Sequence, residues 1–113
     1  MHELSIAMSL VEVVQEEASK RSAIKVSKVE VEIGTMSGVE PEALLFAWEL
    51  AIKDTIMDGA PLEIHTIRAK ARCRECRTEF IQEDFMNPCP SCGSFSFDLI
   101  QGRELRVTSI TVE

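Results

Sequence analysis

The chain has 113 residues with a formal net charge of −7, and 45% of them are hydrophobic. That length suits one small domain, or one carrying a smaller module, and no apolar run reaches the roughly 18 residues of a membrane span. The acidic balance argues against general nucleic-acid binding, which needs a basic field to meet phosphate.

From Leu4 to Ala18, the residues Leu4, Ala7, Met8, Val11, Val14 and Ala18 recur at helical spacing, and Leu10 and Val13 widen the apolar face. An amphipathic helix therefore starts almost at the first residue. The opening residues lack a basic stretch followed by an apolar one, so no export signal is expected, and reduced cysteines then point to the cytoplasm. Lys25 to Gly34 alternates, with Val29, Val31 and Ile33 on one face and Lys28, Glu30 and Glu32 on the other, as a half-buried antiparallel strand would. A turn at 34–38 leads to Glu40-Pro41-Glu42, a helix start with proline at the first helical position. Leu44, Leu45, Ala47, Trp48, Ala51 and Ile52 form its buried side, and it should end near Asp54, before the turn cluster at 58–61. Alternation resumes at Leu62 and Ile64, changes parity by Ile67, where a bulge is expected, and runs on to Cys73. Glu104 to Val112 reads as a last strand with its own parity shift.

Between those last two strands lie all four cysteines, as Cys73-Arg74-Glu75-Cys76 and Cys89-Pro90-Ser91-Cys92-Gly93. Each C-x-x-C turn puts two sulfurs on one side of a tight loop, and two such turns facing each other make a tetrahedral thiolate cage suited to Zn2+. Two disulfides or a redox pair are the competing readings. The lack of an export signal disfavours the first, and a redox motif needs only one pair. Four thiolates saturate zinc and leave no open position, so the cage is structural. Phe80, Phe85, Phe95 and Phe97 should supply the module's small core. The basic run Arg68, Lys70, Arg72, Arg74 and Arg77 would suit a nucleic-acid-binding zinc ribbon or transcription adaptor, the alternative function. It would equally offset the cage's negative charge, and no aromatic platform alternates with it.

The expected fold is α+β: a three-stranded antiparallel sheet with two helices, carrying an inserted zinc-ribbon module. The strands on either side of the insertion should pair with each other and extend the sheet begun by Val26 to Ile33. Residues 1–71 with 103–113 form one domain and 72–102 the other. Enzyme machinery is missing from the pattern: there is no phosphate-binding loop, and His65 lies within a strand with no nucleophile beside it, as an ordinary surface residue would. His2 is placed differently. The Met1 amine, the first helical amides and the Glu3 carboxylate surround it, and the first amides of a helix lack intrahelical acceptors. Amine, amide and imidazole nitrogens in a plane select Cu(II) or Ni(II) over zinc. A bulky second residue should also keep the initiator methionine in place. An incidental histidine near a terminus is the plainer alternative.

Taken together, Met1-His2-Glu3-Leu4-Ser5, the Gly34 turn, Gly59-Ala60-Pro61-Leu62-Glu63-Ile64, the paired C-x-x-C with Cys89-Pro90-x-Cys92-Gly93, and Gly102-x-Glu104-Leu105 resemble the HypA/HybF family across essentially the whole chain. These are the nickel metallochaperones of nickel–iron hydrogenase maturation, and not enzymes. The resemblance implies Ni2+ as transported cargo at the N-terminus, with His2 the essential ligand and Met1 and Glu3 beside it. It adds Glu40, where some relatives carry an aspartate near nickel. Cys73, Cys76, Cys89 and Cys92 would hold structural Zn2+. Some archaeal relatives add a histidine from the zinc domain, and this chain has none there. The implied partners are the GTPase HypB, the hydrogenase large-subunit precursor and, in some bacteria, the urease maturation proteins, with no nucleic acid and no membrane. Both a monomer and a homodimer are compatible with the sequence.

Overall fold

In the computed structural model, residues 2–82 and 87–113 are described; Met1 and the predicted core residue Phe85 lie outside them. Helix α1 spans Glu3–Lys20 and buries Ala7, Leu10, Val11, Val14 and Ala18. It stops where Ser22 enters the left-handed region (φ 52°). There the Ala23 amide donates to the Ala18 carbonyl at 3.0 Å and the Ser22 amide to Ser19 at 3.1 Å, a Schellman closure built without glycine. Helix α2 spans Pro41–Ala51, shorter than expected. Its Glu40 cap accepts from the Glu42 amide, and Leu44, Ala47 and Trp48 are its buried face. The Trp48 indole donates to the Ala60 carbonyl at 2.9 Å, which satisfies its one polar atom inside the core and pins the loop leading to the next strand.

Strand β1 (Val26–Gly34) is the middle of the first sheet, between β2 (Leu62–Ile67) and β6 (Leu105–Val112), in the order β2-β1-β6. Two expectations are corrected here. The sheet is mixed, because β2 runs parallel to β1 while β6 runs antiparallel. And β2 and β6 do not pair with each other, because β1 lies between them. The reason is the connection: a strand, a helix packed on one face, and a returning strand form a crossover unit, which makes the strands parallel. The strand with the most deeply buried side chains, Val26, Val29, Val31 and Ile33, then takes the centre. The parity shift in β6 is a bulge: Glu30 faces Ser109 and Val31 faces Val107, leaving Thr108 over.

No bulge accompanies the parity change between Ile64 and Ile67: β2 pairs with β1 in unbroken register from Leu62 to Ile67, so Ile64 and Ile67 lie on opposite faces of the sheet. After Arg68 and Ala69 the chain enters a second sheet, in which β3 (Lys70–Cys73) lies between β4 (Glu79–Ile81) and β5 (Phe97–Gln101), both antiparallel to it. A separate small core of Ala71, Cys73, Phe80 and Cys89 serves this sheet, with Phe97 and Leu99 against it. Phe80 and Phe97 meet edge to face at 6.3 Å. Phe95, expected in this core, is exposed, as are Leu4, Met8, Val13 and Leu45 of the two helices. The two sheets give an elongated molecule of 55 × 25 × 16 Å.

Where they join, backbone packs on backbone. A side chain on Gly34 would collide with the Gly102 carbonyl, and one on Gly102 would meet Ala69. The Met36 amide donates to the Gly102 carbonyl at 2.7 Å, and the Ala69 amide donates to the Thr35 hydroxyl at 2.9 Å. Thus the turn after β1 holds both strands that cross into the ribbon.

Candidate metal sites

Cys73 closes β3 and Cys89 follows the segment after β4; each begins a turn of the same form. The Arg77 amide donates to the Cys73 carbonyl at 3.0 Å, and the Gly93 amide donates to the Cys89 carbonyl at 2.8 Å. The Cys73 amide donates to Thr78, and the Cys89 amide to Ser94. Both turns need a left-handed residue four places after the first cysteine. Gly93 (φ 77°) is the natural choice, and Arg77 (φ 68°) adopts the same conformation with a side chain. These two matching turns bring four sulfurs together, with Cys73 3.5 Å from Cys92 and Cys76 3.6 Å from Cys89. A disulfide would need about 2.05 Å, whereas a tetrahedron of thiolates around zinc has edges of roughly 3.8 Å. All four are free cysteines placed so that they could share one metal ion.

Cys73 and Cys89 are buried, and Cys76 and Cys92 are exposed. The Cys76 sulfur is 3.2 Å from the Thr78 hydroxyl. That contact, reinforced by the Thr78 backbone, pulls its thiol down to about 6, toward the thiolate a metal requires. The basic run divides differently from either sequence reading. Arg72 pairs with Glu79 at 2.8 Å, and Arg74 meets one oxygen of Asp98 at 2.9 and 2.7 Å. Carboxylates of β4 and β5 therefore offset these cations, and no concentrated basic field is left at these two positions for phosphate.

The second group is at the head of α1. His2 is the exposed N-cap residue, with its carbonyl accepting the Ile6 amide at 3.1 Å and its side chain making no capping bond. The imidazole is thus not used in the cap. Glu3, next in the chain, reaches across to the head of α2, where its Oε2 accepts the Glu40 amide at 3.2 Å. That bond is the main reason its carboxyl lies below the usual value. Glu40 turns its own carboxylate onto the Glu42 amide at 3.3 Å. Residues 2, 3 and 40, separated in sequence, are therefore brought together where two helix N-termini meet. A shallow groove lined by His2, Glu3, Leu4, Ala43, Phe46 and Leu50 runs beside them.

A third group was not legible in the sequence. His65, read as an ordinary strand residue, lies beside Glu30 and Glu63, with the donor atoms of all three within 4.8 Å of one another. The only local signal is Glu63-x-His65; Glu30 joins through the parallel register of β1 and β2.

The family model described as hydrogenase/urease nickel incorporation, metallochaperone, HypA matches residues 1–112. Proteins named hydrogenase maturation factor HypA from Geotalea uraniireducens and Parabacteroides distasonis are each 44% identical to this chain over its full length, covering 100% and 98% of theirs. The solution structure of the Ni metallochaperone HypA from Helicobacter pylori superposes with a TM-score of 0.71 at 28% identity, over 99% of this chain and 97% of that one. The fold, the order of elements and the full-length matches agree: the chain belongs to the HypA family of metallochaperones, which are not enzymes.

Proposed function

We propose that this protein binds Ni(II) at its N-terminus and hands it to the nickel–iron hydrogenase large-subunit precursor, while its four cysteines hold structural zinc. The observation that carries the reading is the exposed imidazole of His2, not spent on capping a helix whose first amides lack intrahelical acceptors. With the Met1 amine, the His2 and Glu3 amides complete a planar nitrogen set, the geometry that favours Ni(II) over zinc. Deprotonating such an amide creates negative charge at a helix N-terminus, where the macrodipole stabilises it. Glu3 supports the site by tying α1 to the head of α2, and Glu40 stands beside it through its amide. Its own carboxylate is engaged in capping α2, which makes Glu40 a positioning residue rather than a ligand in this conformation.

The cysteine cage and the nickel site divide the chain: 1–71 with 103–113 for nickel, 72–102 for zinc, with Lys70 and Ala71 already inside the ribbon's sheet. Zinc in the cage supplies no open coordination position, so its contribution is to the ribbon's stability. Release follows from proton competition for amine, amide and imidazole, or from a partner that offers replacement ligands. HypB and, for urease, its maturation proteins are the partners expected from the family, in the cytoplasm. Equilibrium Ni(II) titration of the untagged protein beside His2→Ala tests this. One tight site with the absorption of planar Ni(II) should vanish in the variant while zinc content stays unchanged. Equal affinity in both proteins would reject the N-terminal site.

A further inference from the structure

The geometry points to a second divalent-cation site, formed by Glu30, Glu63 and His65 on the face of the β2-β1-β6 sheet turned away from the helices. The parallel register sets Glu30 beside Glu63, and His65, two positions on, shares its face. His65 Nε2 is 2.9 Å from Glu30 Oε1 and 3.5 Å from Glu63 Oε1. An ion bound by nitrogen and oxygen donors at about 2.0–2.2 Å holds neighbouring ligand atoms roughly 2.9–3.5 Å apart, which both His65 distances match; the Glu30 and Glu63 oxygens, within 4.8 Å of each other, close on one ion by side-chain rotation.

The fourth participant is Lys28. Its ammonium stands 3.8 Å from Glu30 Oε2 and 3.6 Å from Glu63 Oε2, on the carboxylate oxygens that His65 does not face. It neutralises one of the two carboxylate charges and leaves one for a cation to compensate. Glu30, the least exposed of the three donors, is further held by His65 and Ser109, which keep its carboxyl below the usual range. One imidazole with two carboxylates favours borderline first-row ions such as Ni(II), Co(II) or Zn(II) over Mg(II) and Ca(II). Three protein donors leave positions for water, so the site is exchangeable and weaker than a closed four-thiolate cage. It shares no residue with the N-terminal site and does not depend on it.

The test uses full-length, zinc-loaded, untagged protein carrying His2→Ala, titrated with nickel chloride by calorimetry and followed by NMR of the His65 ring nitrogens. A weak binding event that shifts His65 is expected, weakened at least about tenfold by His65→Ala and tightened by Lys28→Met, which removes the competing ammonium. A simple surface ion pair would give no gain from Lys28→Met. Nickel binding indifferent to both substitutions, or a His65 resonance that does not move, overturns the site. Failure of the N-terminal reading is distinguishable, because nickel binding would then be insensitive to His2→Ala while the His65 and Lys28 variants still report on this site.

Discussion

Glu3 joins two helices through a single exposed bond, and its charge state governs that bond. Its folded carboxyl ionises below the ordinary value of 4.5 because the Glu40 amide donates to it. The clasp is therefore fully present above pH 4.5 and is lost as pH falls through the lowered folded value. The Glu40 amide resonance should accordingly titrate with the Glu3 carboxyl, and the movement should disappear in Glu3→Gln; persistence in that variant would assign the titration elsewhere. Ser22 offers a second residue-scale check. A non-glycine residue in the left-handed region costs roughly 1 kcal/mol, so Ser22→Gly should raise thermal stability by about that amount. An unchanged or lowered melting temperature would mean that the Ser22 side chain offsets the strain.

Among the elements, the turn after β1 matters most, because it grips both strands that pass from one sheet to the other. Gly34→Ala drives a methyl group into the Gly102 carbonyl, and neither backbone can move without breaking the bonds at Met36 and Thr35. The expected loss is at least ~3 kcal/mol in denaturant unfolding, larger than for an ordinary strand glycine. A loss below ~1 kcal/mol would show that the junction yields. Much of the element-level structure was legible because it is local. The alternation of Val29, Val31 and Ile33, Pro41 at the head of α2 and the C-x-x-C turns all act over a few residues. What was hidden is non-local. Alternation in β1 reports one solvated face and is silent on the direction of its neighbours, so the parallel pairing of β2 did not show. Leu4, Met8, Val13 and Leu45 have helical spacing but lie at the margins of the buried stripe, where spacing alone does not decide burial. The bulge expected by Ile67 is instead a hydrophobic residue on the opposite face of an unbroken strand, which changes apolar parity just as a bulge would. The Glu30–Glu63–His65 cluster needed that unseen register, whereas the cysteines needed only their spacing.

For the whole molecule, two small cores joined by a backbone knot imply two degrees of dependence on metal. Among the described residues the ribbon's core is Ala71, Cys73, Phe80 and Cys89, and two of these four are thiols of the cage, so an ion there contributes directly to the ribbon's stability. Chelation at neutral pH should collapse amide dispersion for residues of β3, β4 and β5 while β1, β2, β6 and both helices keep theirs. Uniform unfolding would show instead that the junction makes the chain one cooperative unit. The proposed N-terminal nickel site is the opposite case, a cargo site on a helix whose own packing holds it together. The most direct test of that claim is the Ni(II) absorption spectrum of the zinc-loaded native chain beside one selectively acetylated on the Met1 amine. Acetylation leaves every side chain in place and removes the free amine without supplying another. The planar Ni(II) band and tight binding should be lost on acetylation, with zinc retained; an unaltered band and affinity would contradict nickel binding through the N-terminal amine.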